Sequence, residues 1–455
     1  RLLADPPLAR QLAVEARRTA EETFDINRVA RRFLEVVAPL VGKGNRRVMR
    51  VCCLTVQTLA HVVGGMAQQT LLMARDLVRL GHHVTVLTTR HPHGHEMAEA
   101  DGVRVYYLPG TVPGSQRGGW WRESRKRFWE LHRAEPFDVV WSQSASGWAV
   151  ARQLRRDQPP YLIPMIQGTS VQMIVSLLNV FLKSRGGWRT WMTTARRVLG
   201  YMISRFYADP PIYRNSSAVI PVSEAVASSI RRWYRVPSER LFVVHNAVDT
   251  DRFAPDPDRG LIVRKRYGLD GSHVVLLTLG VLSRQKGVDF AVEALAKLLP
   301  RFSHLRLLVV GSGDYEGGLK RLARELGVEA AVHFVGPVPH EQTAEFYNAA
   351  DLFLLPTIRE EGFANVILEA MSSERLVIAS RIGGNPEAVL DWETGFLIPP
   401  GDVTALAERI AFCLEHPEVV RSYGAWSRAL VKERWNQAGH ATRIEEVFKQ
   451  AAGRR

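Results

Sequence analysis

Residues 359–371 read Arg-Glu-Glu-Gly-Phe-Ala-Asn-Val-Ile-Leu-Glu-Ala-Met. This stretch is the most informative part of the sequence for predicting the fold. Residues 352–355 form an apolar run typical of a buried parallel strand. A short loop, 356–358, separates this run from the stretch. After the glycine, apolar residues recur at helical spacing, and Asn365 stands where it can cap the first turn. The pattern predicts a strand, a tight turn and a helix whose free N-terminal amides can hold a phosphate.

Two carboxylates frame this turn, since Glu361 lies within it and Glu369 lies in the predicted helix. Because like charges repel, a carboxylate beside a phosphate is better suited to accept hydrogen bonds from neutral hydroxyl groups. This combination predicts a sugar and a ribose next to a phosphate. Taken alone, the stretch is more simply an ordinary helix with two solvated glutamates. The site is favoured only by the sequence that surrounds it.

The spacing Glu-x7-Glu within this stretch resembles the signature of retaining glycosyltransferases of family 4. The resemblance implies that Glu361 holds hydroxyl groups of the transferred sugar and that Glu369 holds the ribose of the nucleotide. It also implies four donor-binding residues in the turn, the backbone of the first three against the donor diphosphate: Gly362, Phe363, Ala364 and Asn365.

The composition sets the class of protein. The chain has 455 residues, 46% of them hydrophobic and 23% charged, which fits two globular domains and an extension. Its formal charge of +14 suits a sugar nucleotide or an anionic lipid, and without a nucleic-acid-binding motif we expect no nucleic acid. Three cysteines without disulfide or metal spacing, and no apolar run of about 18 residues, predict a cytoplasmic protein.

The first half of the chain predicts a doubly wound α/β domain. An apolar strand at 48–56, a loop with Gly64 and Gly65, a helix at 66–80 and a strand from 83 form a βαβ unit. This unit resembles the opening of family 4 N-terminal domains, and its two glycines are predicted donor-binding residues because a phosphate can approach them closely. A simple tight turn explains the glycine pair equally well. Further strands are expected at 103–108, 138–141, 161–166 and 219–222.

The second half predicts strands at 274–279, 305–310, 332–335, 352–355, 377–380 and 396–398, with helices between them. Several strands end in glycine, which leaves room for a nucleotide at the carboxyl edge of one sheet. The predicted donor-binding glycines are Gly311, Gly313 and Gly336.

Residues 283–287, Ser-Arg-Gln-Lys-Gly, place two cations between a strand and a helix. Arg284 and Lys286 are predicted catalytic residues, because cations here can stabilise the charge that develops on a departing diphosphate. The alternative is a basic helix cap on the surface.

Together these features resemble a GT-B glycosyltransferase over residues 48–455, with two Rossmann-like doubly wound parallel-sheet domains that face a cleft. The resemblance implies an acceptor domain at 47–250, onto which residues 436–455 cross back, and a donor domain at 251–435. It implies retaining transfer of a hexosyl group from a nucleotide sugar to a lipid-linked or carbohydrate acceptor in glycan biosynthesis. No metal and no cofactor is expected, since the donor is itself a substrate.

Two departures from the family pattern keep other functions open. Gly280 is followed by Val281, where the family usually has an arginine that binds the diphosphate. Ile166-Gln167-Gly168-Thr169 resembles the family's Thr-x-His-Gly, with Gln167 as the predicted catalytic residue where the histidine contacts the sugar. Glutamine forms hydrogen bonds but carries no charge and relays no proton. The alternatives are a catalytically weakened nucleotide-sugar-binding module and a sugar-nucleotide 2-epimerase of the same fold.

Residues 171–206 are basic and contain a narrow apolar stripe: Ile174, Leu177, Leu178, Phe181 and Leu182. Between Gln158 and Ala208 there is no acidic residue, which suits peripheral contact with an anionic leaflet on the inner membrane face. A core-facing helix with a solvated basic face explains the pattern equally well.

Residues 1–46 form an Arg-rich extension of helical pattern that matches the end of the same chain at a constant offset. Leu3 aligns with Leu414, and Arg10 aligns with Arg421. We interpret residues 1–46 as the tail of a preceding glycosyltransferase unit, joined by a linker at 42–47. A chance likeness between two Arg-rich helical segments is the alternative.

Overall fold

A computed structural model describes residues 48–61, 65–183 and 188–453. The predicted tail at 1–46, the predicted linker at 42–47 and Gly64 lie outside the described residues.

The first sheet has seven strands among the described residues and begins with a parallel βαβ unit. Its strands are β1 (Arg50–Leu54), β2 (His83–Thr89), β3 (Met97–Ala100), β4 (Val103–Leu108), β5 (Val139–Gln143), β6 (Tyr161–Ile166) and β7 (Ile220–Pro221). They lie in the order β3-β4-β2-β1-β5-β6-β7. Strand β3 runs antiparallel to β4 at the edge, whereas the other neighbours are parallel.

One strand of this sheet was not predicted. All four residues of β3 are exposed, so it lacks the apolar face by which a strand is recognised. Residues 241–244 lie along the edge of β7, where the backbone N–H groups of Phe242 and Val244 donate to the carbonyl oxygens of Val219 and Pro221.

Helices cover both faces of the first sheet. They are α1 (Gly65–Arg79), α2 (Trp120–Ala134), α3 (Trp148–Ala151), α4 (Ser170–Lys183), α5 (Trp188–Ile203), α6 (Asp209–Asn215) and α7 (Glu224–Tyr234). A single π-helical turn, Ser204–Ala208, joins α5 to α6. The side chains of Trp120, Phe128 and Trp141 are fully buried within this domain.

The second sheet is parallel throughout, as predicted. Its strands are β8 (Val274–Leu279), β9 (Leu305–Val310), β10 (Val332–Gly336), β11 (Leu352–Leu355), β12 (Leu376–Ser380) and β13 (Gly395–Ile398). They lie in the order β10-β9-β8-β11-β12-β13. All residues of β11, β12 and β13 are buried, because helices cover both faces of the sheet and each strand is apolar along its whole length.

The helices of the second domain and the C-terminal segment complete the fold. They are α8 (Pro257–Arg266), α9 (Val288–Leu298), α10 (Glu316–Glu325), α11 (Thr343–Ala349), α12 (Asn365–Ser372), α13 (Asn385–Ala388), α14 (Val403–Glu415), α15 (Pro417–Arg434) and α16 (Gln437–Gly453).

Helix α16 packs on the first domain. The buried Glu445 carboxylate lies 3.1 Å from Nε2 of His82, and the Gln437 amide donates to Asp76 at 2.8 Å. Where the chain returns, the backbone N–H of Val248 donates to the carbonyl oxygen of Trp435 at 2.9 Å. The chain thus passes between the domains at two adjacent points.

Candidate active site

Loops from both domains line a cavity of about 550 Å³ at the carboxyl ends of the parallel strands. The first domain contributes Met66, Gln167 and Asn246. The residues from the second domain that line the cavity include Val281, Lys286, Gly311, His340, Arg359, Glu361, Gly362, Phe363, Ala364, Asn365 and Glu369. Ligands of open α/β sheets bind at this edge, so both sheets present their binding edge to the same cavity.

Lys286 and Glu361 form an ion pair on one wall of the cavity. The Lys286 ammonium lies 2.7 Å from Oε1 of Glu361, and the Thr357 hydroxyl donates to the same oxygen at 3.3 Å. Burial raises the pKa of Glu361, but the cations of Lys286 and Arg359 outweigh burial and hold this pKa below its usual range. Glu361 is therefore ionised, and its carboxylate is fixed where it can accept further hydrogen bonds.

The turn that delivers Lys286 depends on a glycine. Residues Arg284–Lys286 form a short 3-10 helix, and Gly287 follows with φ of 69°. A Cβ atom at position 287 would lie 2.0 Å from the carbonyl oxygen of Pro356. Only glycine allows this backbone conformation and this approach, which brings Lys286 beside the loop after β11.

Glu369 is held by neutral groups instead of a cation. Its Oε1 atom lies 3.0 Å from Nε2 of His340, and its Oε2 atom accepts from the Tyr347 hydroxyl at 2.8 Å. The Gln68 amide nitrogen lies 2.8 Å from Nδ1 of His340. An amide N–H donates to Nδ1, which assigns the imidazole hydrogen to Nε2, so that His340 donates to Glu369. Since Gln68 belongs to α1, this hydrogen-bonded chain joins the two domains.

The two domains are in direct contact at Gly362. A Cβ atom there would lie 2.0 Å from the carbonyl oxygen of Gln167, so no side chain fits between them. The Asn246 amide donates to the carbonyl oxygen of Phe363 at 2.9 Å and also lies 3.3 Å from Oε1 of Gln167. On α4, the Ser176 hydroxyl accepts from the backbone N–H of Glu360 at 2.9 Å. Gln167 therefore faces the Glu361 turn directly.

Most of the predicted site residues lie around this cavity. They are Glu361, Lys286, Gln167, Gly311, Gly362, Phe363, Ala364, Asn365 and Glu369. One local detail was wrong, because Asn365 is the first residue of α12 and does not cap it. The N-cap residue is Ala364, which has no capping side-chain hydrogen bond.

Four other predicted residues in the described part of the chain do not line the cavity. The Arg284 guanidinium is exposed and lies over the ring of Tyr315, 4.4 Å from its centroid. Gly313 packs against the carbonyl oxygen of Leu282, which a Cβ atom would approach to 2.2 Å. Gly336 ends β10 with φ of 84°, and Gly65 begins α1 just before Met66.

Sequence reasoning missed the residues that hold Glu369. His340, Tyr347 and Gln68 are separated widely along the chain, and none of them belongs to a recognisable local motif. The pairing of His340 with Gln68 depends on how the two domains meet, which spacing along one chain does not specify. The carboxylate of Glu369 itself was the only available signal that buried donors had to surround it.

No group of three or more His, Cys, Asp or Glu residues in the described ranges is arranged to hold a metal ion. Within those same ranges, every helix is too short or too polar to cross a membrane. The surface of α5 and the π-helical turn is nevertheless apolar. Leu199, Ile203, Phe206 and Tyr207 have between 57% and 70% of their surface exposed. Arg196 and Arg197 are exposed on the same helix.

The apolar stripe predicted at 174–182 is split between two environments. Leu177 is buried, whereas Leu178 is 45% exposed, and the side chain of Leu182 lies outside the described residues. Helix α4 therefore packs one side of its stripe inward. The larger exposed apolar surface belongs to α5 and the turn after it.

Two family models match the chain, one in each domain. The model described as glycosyl transferases group 1 matches residues 262–429. The model described as glycosyl transferase 4-like domain matches residues 64–247. The first covers the Lys286 and Glu361 side of the cavity, and the second covers Gln167.

Relatives of known name are glycosyltransferases. A GDP-mannose-dependent alpha-(1-6)-phosphatidylinositol monomannoside mannosyltransferase of Mycolicibacterium smegmatis is 36% identical over 225 residues, which are 48% of this chain. The aligned part spans 58% of that relative's own length. A D-inositol 3-phosphate glycosyltransferase of Corynebacterium aurimucosum is 27% identical over 85% of this chain and 91% of the relative.

Solved structures share the whole fold. Sucrose-phosphate synthase of Thermosynechococcus elongatus matches with a TM-score of 0.73 and 24% identity, over 88% of this chain and 98% of that structure. Anabaena HepE, solved in complex with UDP and glucose, matches with a TM-score of 0.68 and 19% identity over 88% and 99% of the two chains. The chain has the GT-B fold, with two parallel-sheet α/β domains.

Proposed function

We propose that this GT-B chain, with a glycosyltransferase domain on each side of its cavity, is a retaining family 4 glycosyltransferase. In this proposal it transfers a hexosyl group from a nucleotide sugar to a lipid-linked or carbohydrate acceptor in glycan biosynthesis. The observation that carries the proposal is the partly buried Lys286–Glu361 pair, 2.7 Å between Nζ and Oε1, facing Gln167 across the cavity. The name of the GDP-mannose-dependent relative supports a nucleotide-sugar donor.

The charged residues of the cavity have separate roles. The Glu361 carboxylate accepts hydrogen bonds from hydroxyl groups of the sugar, and Glu369 does the same for the ribose. Lys286 stabilises the negative charge that grows on the diphosphate, together with the backbone amides at the start of α12. Charge stabilisation of this kind is often the largest single contribution to catalysis.

The transfer step balances without another reactant. The bond between C1 of the sugar and the diphosphate oxygen breaks, and a new bond forms between C1 and the acceptor oxygen on the same face. The departing phosphate oxygen takes the proton of the acceptor hydroxyl. Gln167 positions the sugar by hydrogen bonding, since an amide relays no proton.

One observation favours a second function, a nucleotide-sugar-binding module with weak catalysis. Val281 lines the cavity with 61% of its surface exposed, at the position where the family has a diphosphate-binding arginine. A neutral side chain there leaves Lys286 and Arg359 as the cations among the residues that line the cavity, because Arg284 lies over Tyr315. Less charge stabilisation means slower departure of the diphosphate.

A panel of sugar nucleotides tests the proposal. The protein is incubated with each donor and a mixture of lipid-linked and carbohydrate acceptors, and free nucleoside diphosphate is measured. Lys286→Met should abolish its release, whereas the matched control Lys297→Met should not, since the exposed Lys297 ammonium donates to Thr404 and does not line the cavity. Bound donor without release would favour the binding module, and a changed sugar without release would favour an epimerase.

We also propose that the acceptor is reached at an anionic membrane surface through α5 and the π-helical turn. Exposed Leu199, Ile203 and Phe206 beside Arg196 and Arg197 give the combination that interfacial helices use. Each arginine near an anionic leaflet contributes about 1 kcal/mol at low salt.

Vesicle co-sedimentation tests the membrane contact. Arg196→Gln with Arg197→Gln should release the protein from anionic vesicles, and Arg324→Gln with Arg321→Gln on α10 is the control pair. Equal binding of the wild type to neutral and anionic vesicles would contradict the electrostatic part of the proposal.

A further inference from the structure

Glu387 of the second domain caps a helix of the first. Its Oε2 atom accepts from the backbone N–H of Glu224 at 2.8 Å, and its Oε1 atom accepts from that of Ala225 at 2.9 Å. Nε2 of His245 lies 2.9 Å from the same Oε2 atom. These two amides are the first of α7, an eleven-residue helix at the carboxyl edge of the first sheet.

Glu387 supplies hydrogen-bond acceptors to the N-terminus of α7. Ser223 accepts from the backbone N–H of Val226 at 3.2 Å, which leaves the amides of Glu224 and Ala225 for another acceptor. Burial raises the pKa of Glu387, but hydrogen bonds from His245 and the two amides outweigh it and hold this pKa below its usual range. An ionised carboxylate at a helix N-terminus is also favoured by the helix dipole.

The segment that carries Glu387 is fixed to the Glu361 turn. The backbone N–H of Gly384 donates to the carbonyl oxygen of Glu361 at 2.9 Å. A Cβ atom at Gly383 would lie 2.1 Å from that oxygen, so the two turns are in direct contact. Only two residues separate Gly384 from Glu387, and the capping contact therefore acts on the backbone of Glu361 over a short distance.

The other end of the contact leads to Gln167. His245 precedes Asn246, whose amide donates to Phe363 and lies beside Gln167. The ring of His245 also packs on that of Phe363, with 4.5 Å between the centroids. Both partners of the capping contact are thus neighbours, along the chain or in space, of residues that line the cavity.

We infer that Glu387 is a positioning residue that holds the two domains in the arrangement where Glu361 faces Gln167 across the cavity. Glu387 is not among the residues that line the cavity, so we assign it a positioning role and not a catalytic one. Its effect on transfer rests on the proposed function, whereas its effect on the domain arrangement does not.

The distance between the domains tests the inference directly. Arg125→Cys on α2 and Glu325→Cys on α10 give two exposed sites for spin labels, one in each domain. The native cysteines are buried, and burial raises the pKa of the thiols of Cys52, Cys53 and Cys413, so they react poorly with the label. We expect a narrow distance distribution in the labelled parent and a broad one after Glu387→Ala, while Glu387→Asp remains closer to the parent.

Kinetics gives the second readout. Glu387→Ala should lower kcat by about tenfold to 10²-fold, the loss that a displacement of about 1 Å produces. The Kd of nucleoside diphosphate should change little, because the groups proposed to hold it, Lys286, Glu369 and the first amides of α12, all belong to the second domain. Glu408→Gln, at an exposed carboxylate on α14, is the matched control and should change neither readout.

The outcomes are separable. An unchanged distance distribution in a folded Glu387→Ala variant overturns the inference, whatever the kinetics show. A broadened distribution in a protein that transfers no sugar supports the inference and counts against the proposed function alone. Circular dichroism of each variant shows that it is folded, and Glu387→Asp provides the comparison if Glu387→Ala does not fold.

Discussion

The second domain supplies Lys286, Glu361 and Glu369 to the cavity, whereas the first domain supplies Met66, Gln167 and Asn246. One wall is thus charged and the other is neutral. Charged groups are suited to places where charge develops, which in the proposed reaction is the diphosphate, and neutral amides suffice to orient hydroxyl groups. Under the proposed function, the chemistry is therefore concentrated in the second domain, and the first domain contributes mainly through its position.

The largest effect should come from Glu361→Gln. The amide keeps the shape of the side chain but leaves the Lys286 ammonium without its anion and weakens the hydrogen bonds to the sugar. We expect kcat to fall by about 10²- to 10³-fold, as when a group that stabilises the transition state is removed. Initial rates of nucleoside diphosphate release measure it.

Binding of nucleoside diphosphate provides the control for Glu361→Gln. Its Kd, measured by calorimetry, should remain within a few-fold of the wild type, because the sugar is absent from this ligand. Near-normal turnover in the variant would contradict the role of Glu361 and would remove the charged wall from the comparison.

A smaller effect is expected from Glu369→Gln. His340 and Tyr347 donate to this carboxylate, and it has remaining lone pairs for the ribose. Loss of charge from these hydrogen bonds costs about 1.5 kcal/mol, which corresponds to about tenfold weaker binding of nucleoside diphosphate. Calorimetry with the diphosphate and with inorganic pyrophosphate separates the two parts of the ligand, since only the first carries a ribose.

On the neutral wall, Gln167→Ala should cost less than either glutamate variant. One hydrogen bond between uncharged groups contributes about 1 kcal/mol, so we expect kcat/KM to fall about fivefold. A loss as large as that of Glu361→Gln would show that the first domain takes part in the chemistry, and the comparison between the walls would fail.

The smallest effect should come from Val281→Arg, which adds charge to the second wall. Because Val281 is 61% exposed, water screens the new guanidinium, and the gain is about 0.2–1 kcal/mol. The Kd of nucleoside diphosphate should fall by up to about fivefold. A higher Kd would show that a cation at this position weakens the binding of the diphosphate instead of strengthening it.

The sequence was most informative where local pattern and tertiary structure agree. The strands of the second sheet are apolar along their length because both faces are covered, so their positions could be predicted closely. The Glu361 turn joins a strand, a glycine and a helix within a few residues, and it could be located in the same way. Strand β3 could not, since its four residues are exposed and carry no apolar alternation.

The contacts that complete the site could not be predicted, because they join segments far apart in the chain. Gln68 reaches His340 from the other domain, and Glu387 reaches α7 in the same manner. Local propensity also misled at Asn365, which is a favoured capping residue but begins the helix here. These features depend on the way two domains dock, which leaves no period in a sequence.

The two adjacent crossings between the domains restrict the motion available to them. The chain leaves the first domain near Val248 and returns near Asn436, and these residues form a parallel bridge beside the hydrogen bond from Val248 to Trp435. A single flexible linker lets one domain rotate about three axes relative to the other. Two hydrogen-bonded linkers instead form a hinge that allows rotation about one axis. Any opening of the cavity must therefore pivot about one axis near Val248 and Trp435, and each contact between the domains moves in proportion to its distance from that axis.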